Sequence, residues 1–363
     1  MQNIKMATKG ASENVELGFL EETHPDLLRS HYFPSKVGGK PSWLSLTQLP
    51  VEVNCKVCGK SAIFLLQVYS PDEKVSSAFH RTIFVFVCRN PGCSIRNSNI
   101  NFMVFRSQLP RQNDFYSPDP PNENVKTDGP VPDAALCRVC GALGPKQCAK
   151  CHLASYCSKD HQVIDWKNGH KAMCLANDKT GKTDVKGVLF PELELITESE
   201  EFDDVNSDDE SDTKGENEKW QEYQDFLKSD KAGSLIPDTA AKSELEKMAT
   251  AENMDDKIFR KFKERIKTNP EQVLRYHKGG QPLWVSMNHI PSETDIPACS
   301  CGAKRQFEFQ VMPQMLSHLQ VDQLGDSLDW GTLCIYTCSN SCQIGNSYQP
   351  EFIWKQDYAA EEQ

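Results

Sequence analysis

The sequence predicts a mainly β (α+β) protein. Two duplicated halves, each a β-hairpin closed by cysteine knuckles, form one pseudo-symmetric domain carrying an inserted finger and an acidic, largely disordered linker. Three observations predict it. The phrase GGKPSWLSLTQLP, Gly38 to Pro50, returns as GGQPLWVSMNHIP, Gly279 to Pro291, 241 positions later. Closely spaced cysteines and apolar runs rich in branched and aromatic residues follow each copy, the composition of strands. Between the copies lie a cysteine/histidine block and then a run of carboxylates.

In chain order, residues 1–15 read as a flexible terminus and 16–110 as the first half of the split domain. Within that half, SAIFLLQVY (Ser61 to Tyr69) and TIFVFVC (Thr82 to Cys88) are strands separated by a Ser/Pro/Asp break. Residues 111–134 are rich in Pro, Asn and Asp, a linker composition. The cysteine block occupies 135–176, and 177–239 is acidic and low in complexity, with Asp184 to Glu218 expected to be mostly disordered. Residues 240–356 hold a helix and the second half, and 357–363 a tail. Helical signals cover EKWQEYQDFLK (Glu218 to Lys228) and roughly Ala240 to Lys267, where Phe259, Phe262 and Ile266 fall at i, i+3 and i+7. RQFEFQVM (Arg305 to Met312) and TLCIYTC (Thr332 to Cys338) are the second pair of strands.

The copies agree beyond the phrase. The first continues Cys55-x2-Cys58-Gly59, strand, Gln67-Val68, then Thr82-x5-Cys88-x4-Cys93. The second continues Cys299-x-Cys301-Gly302, strand, Gln310-Val311, then Thr332-x5-Cys338-x3-Cys342. A lone hairpin is marginally stable, so two copies sharing one core are expected, with two independent small domains as the alternative. Trp43 and Trp284 are expected at equivalent core positions, and a cleft between the halves is the natural binding site. Cys334 stands where the first copy has Phe84 and reads as a small buried apolar residue.

Fifteen cysteines, an odd number, in a chain whose start has no apolar signal core suggest an intracellular protein with metal sites rather than disulfides. The spacing Cys137-x2-Cys140-x7-Cys148-x2-Cys151-x5-Cys157-x3-His161-x8-His170-x3-Cys174 supplies eight ligands, enough for two tetrahedral Zn2+ ions. So short a segment cannot build a sufficient apolar core, so metal must supply its folding energy. Cys55, Cys58, Cys88 and Cys93 make a candidate third site, and Cys299, Cys301, Cys338 and Cys342 a fourth with a tighter C-x-C turn. His24, His31, His80, His277, His289 and His318 carry no surrounding motif and read as structural.

The formal charge of −11 is local. Glu192 to Glu218 contains thirteen Asp or Glu and one Lys, net −12, leaving +1 elsewhere. Such a tract attracts a basic partner or acts as a solvated spacer. Ser207 and Thr197, flanked by acids, are candidate phosphorylation sites. No apolar run is long enough for a membrane helix, so no membrane association is expected. Nucleic acid is not an expected partner either: the basic residues of the block lack an aromatic-basic surface motif, and the Lys/Arg around Phe259 to Lys267, which could suggest RNA binding, read as the solvated face of an amphipathic helix. Ala176-x4-Gly181-Lys182-Thr183 lacks the first glycine and the strand that a P-loop needs. Asn288-His289-Ile290-Pro291 is a poor match to the cofactor motif of SET-type methyltransferases and is already accounted for by the repeat. No enzyme activity is expected, and no catalytic residue is assigned.

The cysteine block, with Tyr156 before Cys157 and Trp166 between ligand pairs, resembles a MYND zinc finger, with His161 where many such fingers have cysteine. That resemblance implies interleaved ligation: Cys137, Cys140, Cys157 and His161 on one zinc, and Cys148, Cys151, His170 and Cys174 on the other. It also implies binding of short, often proline-rich peptides. The repeat, the finger, the acidic tract, FRKFKERIKTNPEQVLRY (Phe259 to Tyr276), DWGTLCIYTCSNSC (Asp329 to Cys342) and FIWKQ (Phe352 to Gln356) together resemble the programmed cell death protein 2 family, from about Val15 to Gln356. The resemblance implies a dedicated chaperone of a newly made basic ribosomal protein, uS5 (eukaryotic S2), serving 40S assembly in cytoplasm and nucleus. The alternative is a MYND-based adaptor in transcription, chromatin or cell-death regulation. Partner-contact residues are not assigned.

Overall fold

The computed structural model describes residues 15–51, 53–121, 134–176, 187–200, 257–321 and 328–358. Ten antiparallel strands close into one barrel, and two short strands form a separate ribbon within the cysteine block. The first half contributes β1 (Glu16–Glu21), β2 (Lys36–Val37), β3 (Ile63–Tyr69), β4 (His80–Val87) and β5 (Phe102–Leu109). The block holds β6 (Lys146–Gln147), β7 (Ser155–Tyr156), α1 (Lys159–Asp165) and α2 (Lys171–Ala176). Then follow β8 (Leu193–Ser199), helix α3 (257–267), β9 (Leu274–Tyr276), β10 (Arg305–Val311), β11 (Thr332–Cys338) and β12 (Gln349–Gln356). The barrel order is β1-β8-β2-β3-β4-β5-β12-β11-β10-β9, and β9 returns to β1.

Side-chain alternation explains the apolar runs. In β4, Ile83, Val85 and Val87 join the main core, while Phe84 and Phe86 belong to a second cluster on the opposite face. In β11, Leu333 and Ile335 face the core and Cys334 and Tyr336 the other side. Strands buried on both faces read as continuous hydrophobic sequence, as IFLLQVY does. Cys334 is fully buried beside Phe307 and Tyr336, as expected of a small apolar residue.

The β3–β4 and β10–β11 ladders each carry one irregularity. The β3–β4 ladder shifts register between Phe64 and Leu66, and the β10–β11 ladder between Phe307 and Phe309. Gln67 faces Phe84 and Gln310 faces Cys334. Each buried glutamine clamps the Trp-bearing phrase: the Ser42 amide donates to Gln67 Oε1 at 2.9 Å and the Leu283 amide to Gln310 Oε1 at 2.6 Å. A strand interrupted by an extra residue twists more tightly, which helps close the barrel.

The structure corrects the domain organisation in several places. The halves are three-stranded meanders, β3–β4–β5 and β10–β11–β12, rather than hairpins, and β5 pairs with β12. At the other seam the first strands change sides: β1 lies between β8 and β9, and β8 between β1 and β2. The halves are therefore hydrogen-bonded at both seams. β8 lies within the segment assigned to the acidic linker. Leu195 is buried in the core and Glu194 and Glu198 stand in the ladder with β1, so alternating Glu and aliphatic residues there encode a strand. Thr197, a candidate phosphorylation site, pairs with Gly18 in that ladder. The start of the Pro-rich linker is also ordered, because Tyr116 is buried and its hydroxyl donates to Leu44 O at 2.6 Å. Ser207, residues 218–256 and the chain termini of the sequence reading lie outside the described residues. No helix among the described residues is long and apolar enough to cross a membrane.

One end of the barrel is polar. Arg81 and Glu308, each fully buried, are joined by Arg81 Nη2 to Glu308 Oε2 at 2.7 Å and by a second, shorter contact. Thr337 and Tyr276 also donate to that carboxylate. The arginine holds Glu308 down at about 2, against the opposing pull of burial. A second buried pair, Arg106 with Glu351, crosses the β5–β12 seam at 2.7 Å.

Candidate metal centres

Each cysteine pair is built by a tight turn. In Cys55-x2-Cys58-Gly59 and Cys137-x2-Cys140-Gly141 the glycine amide donates to the first cysteine's carbonyl at 2.9 Å, with φ of +70° and +73°. In Cys299-x-Cys301-Gly302 the same bond is 2.8 Å. His152, at φ 53°, takes the glycine's place after Cys151. At Gly141 a side chain is excluded twice, by the left-handed backbone and by Lys40, whose Cβ would lie 2.9 Å from an added Cβ. The Ser158 hydroxyl caps α1 by accepting from the His161 amide at 3.3 Å. This fixes the imidazole against Cys157. A widened helical turn, 166–170, with Gly169 at φ 137°, then brings His170 and Cys174 to the second set.

Four groups of four ligand atoms result: Cys55, Cys58, Cys88 and Cys93; Cys137, Cys140, Cys157 and His161; Cys148, Cys151, His170 and Cys174; Cys299, Cys301, Cys338 and Cys342. Every residue assigned as a metal ligand from the sequence is in one of them, in the expected combination. The seven other histidines, His152 included, are in none. Within each group all ligand atoms lie within 4.8 Å of one another. Individual separations are 3.6 Å for Cys58 to Cys88, 3.5 Å for Cys140 to Cys157, 3.9 Å for Cys148 to Cys174 and 3.6 Å for Cys301 to Cys338. A tetrahedron with Zn–S of about 2.3 Å has edges of about 3.8 Å, so the donor sets fit zinc. Separations this long are not disulfides, and all fifteen cysteines are unpaired. His161 presents Nδ1, 3.1 Å from Cys157 Sγ, and His170 presents Nε2, 3.7 Å from Cys151 Sγ.

The electrostatics of the thiols call for a cation. In the first outer set, burial opposes ionisation, yet the Lys60 amide and neighbouring thiols bring Cys58 down to about 7. Burial pushes Cys93 up to about 11 and Cys88 higher still. A bound Zn2+ allows all four to ionise.

Neighbouring groups tie the sets to the barrel. Arg106 of β5 places Nη2 3.3 Å from Cys342 Sγ and donates from Nη1 to Cys342 O at 3.2 Å. An arginine of the first half thus supports the knuckle of the second. Across the same seam, Lys355 of β12 donates to Ile95 O at 3.1 Å, beside the first half's knuckle. In the finger, buried Asp165 accepts from Arg138 at 3.1 Å and from the Tyr156 hydroxyl at 2.6 Å. Sequence reading missed Arg106, Lys355 and Asp165 as supports, because each contact joins residues far apart or without a motif.

The finger docks on the first half. The Trp43 indole donates to Gly141 O at 2.7 Å, Lys40 donates to Arg138 O at 2.6 Å, and Cys157 Sγ lies 3.4 Å from Ser61 Oγ. The finger also carries a shallow apolar groove lined by Trp166, Lys167, Gly169, Lys171, Ala172 and Leu175.

Comparison with known proteins places this architecture. Residues 14–123 match the N-terminal domain of programmed cell death protein 2, residues 137–174 a MYND finger, and residues 256–357 the C-terminal putative domain of programmed cell death protein 2. The chain is 46% identical to programmed cell death protein 2 of Bos taurus, over 97% of this chain and 98% of that protein. This chain belongs to the programmed cell death protein 2 family. It is 30% identical to programmed cell death protein 2-like of Homo sapiens, over 87% of each chain. It is 24% identical to the probable 20S rRNA accumulation protein 4 of Schizosaccharomyces pombe, over 93% of this chain and 95% of that one. No solved structure matches. The family's finger and the four donor sets together support zinc binding.

Proposed function

We propose that this protein is a dedicated chaperone, without catalytic turnover, that binds newly made uS5 (eukaryotic S2) and escorts it toward 40S assembly, in the cytoplasm and the nucleus. The observation that carries the proposal is the near-full-length relationship to a protein named for 20S rRNA accumulation, joined to an acidic tract that continues past the barrel at Glu200 with a net of −8 over residues 201–218. A ribosomal protein built to bind rRNA is basic, and a local polyanion screens such a charge through weak, salt-sensitive contacts. Each of the four donor sets is taken to hold one zinc, two in the finger and one at each outer knuckle.

The barrel itself is read as a duplication around a pseudo-two-fold axis. The matching register shifts, the matching glutamine clamps and the exchanged first strands support this. Two knuckles at opposite ends of the barrel then follow, because β5 and β12 run antiparallel across the seam.

Affinity capture from cells at mild salt, with quantitative mass spectrometry, tests the chaperone. One small-subunit ribosomal protein at near-equal stoichiometry, released at high salt, is expected. Transcription or chromatin proteins without that client would overturn it in favour of the MYND adaptor. The finger's groove favours that second reading as an added activity, since Trp166 and Leu175 offer apolar surface to a short proline-rich peptide. If the adaptor reading holds, W166A abolishes partner capture while changes in the barrel do not.

A further inference from the structure

We propose that the outer face of helix α3 is the docking surface for the chain's own acidic segment, residues 201–218. The helix carries six Lys or Arg and one Glu over 257–267, a net of +5. Its inner face is committed to the barrel: Phe262 is buried with Val285 and Met312, and Phe259 and Ile266 pack alongside. Arg260, Lys261, Lys263 and Lys267 are exposed and make no ion pair among the described residues. At 100° per residue these four span an arc of roughly 160° opposite Phe262. No packing requirement explains a helix this basic.

The occupant is indicated by where the described chain stops. Glu200, the last residue before the acidic segment, is already held at the foot of this helix. Both carboxylate oxygens accept from Arg275 Nη2 at 2.8 Å, and Arg265 of α3 lies 3.7 Å away. The Glu200 amide donates to Val15 O at 2.7 Å, which fixes the exit point. Residues 201–218 then contribute nine carboxylates and one lysine, a net of −8. An eleven-residue helix is about 16 Å long, and about five extended residues cover that length. A chain leaving Glu200 is therefore long enough to bring carboxylates to Arg260, Lys261 and Lys263. Individual exposed ion pairs are weak, but tethering makes the local concentration of carboxylate high. The result is a reversible, salt-sensitive contact that neutralises both segments until a more basic ligand takes the acids. The inference does not depend on which client the protein carries.

The test uses the full-length chain and a zero-length carbodiimide cross-linker, with products mapped by mass spectrometry. Links from carboxylates of 201–212 to Lys261, Lys263 and Lys267 are expected to dominate over links to the finger's Lys167 and Lys171 by about fivefold or more. They should vanish at about 1 M salt, where the screening length falls to about 3 Å. Links spread evenly over exposed lysines, or unchanged by salt, would overturn the proposal. A labelled single-stranded RNA 20-mer gives a second reading on variants whose folding is checked by circular dichroism. Neutralising the acids (D203N/D204N/D208N/D209N/E210Q/D212N) should tighten RNA binding about tenfold. That gain should disappear when the helix is also neutralised (R260Q/K261Q/K263Q/K267Q). If the intact chain binds the RNA through α3 and acid neutralisation changes nothing, the face is a nucleic-acid surface and the proposal fails.

Discussion

The outer faces of the two barrel halves carry matched residues and meet different fates. On the first half, Trp43 is 2% exposed, stacked on Phe86 and set edge-on to Tyr348. Tyr116 and the finger's Leu136 and Leu143 close over the same cluster. On the second half, Trp284, Phe352 and Trp354 are half-buried, and Met287 and Ile290 are exposed. His289 stacks on Trp354 at 4.4 Å as a partial cover. The difference comes from where the finger is inserted. It follows the first meander in the chain and folds back onto it, and no described segment does this for the second. Burial of a motif residue is thus set by what the rest of the chain lays over it.

Breaking the metal sites has the largest expected effect and separates cover from barrel. C88S or C338S removes a ligand that terminates a barrel strand. Structural zinc contributes roughly 10 kcal/mol or more, comparable to a whole domain's stability, so the cooperative melt should disappear. C148S should instead unfold the finger and leave the β signal in circular dichroism. Acrylamide quenching of tryptophan should then rise, because Trp43 loses its cover. If C148S leaves quenching unchanged, the finger is not the cover.

The polar end of the barrel comes next. E308Q leaves Arg81 buried with a weakened partner and should cost about 3–5 kcal/mol in denaturant melts. A loss below about 1 kcal/mol would mean that the pair is solvated. The two tryptophans then test the comparison itself. W43A should cost about 3–5 kcal/mol by cavity formation, and W284A roughly 1–2 kcal/mol, since its ring is already half in water. Equal costs would erase the distinction between the faces.

The smallest effect depends on pH. Burial lowers His80 to about 4, with Phe33 stacked on its ring at 4.2 Å and the Tyr69 hydroxyl 3.0 Å from Nδ1. Its unfolded value is about 6.5. Between those values the unfolded chain binds the proton and the folded one does not, so stability falls as pH drops from about 6.5 to about 4. The loss should be on the order of 2 kcal/mol, and H80F should flatten that part of the profile. An unchanged slope would assign the acid sensitivity elsewhere.

The metal sets could be read from sequence because their chemistry is local: a pair of cysteines two or three apart announces its own turn. The central strands were readable for a related reason, since a strand buried on both faces has little choice of residues. β8 was not, because its glutamates looked like the start of the acidic tract and its partners β1 and β2 lie more than 150 residues away in sequence. The ion pairs Arg81–Glu308 and Arg106–Glu351 join residues 227 and 245 positions apart, and neither carries a motif. The half-exposure of Trp284 was equally hidden, since both copies of the phrase keep the same Gly-Gly-x-Pro-x-Trp-x-Ser frame and closing proline.

The exchanged first strands set the order in which this chain can be completed during its synthesis. Of the strands β1 is made first, but its neighbours are β8 and β9, so it waits unpaired until residue 199 has been made. β5 likewise keeps an open edge until β12 appears, close to the C-terminal end. The nascent sheet β2–β3–β4–β5 therefore has open edges at β2 until β8 is made and at β5 until β12 is made, the form most prone to join a neighbouring chain. Its contacts are distant in sequence, so closure is intrinsically slow. The finger, folding as soon as metal binds and before the second half exists, covers one face of that sheet during the wait.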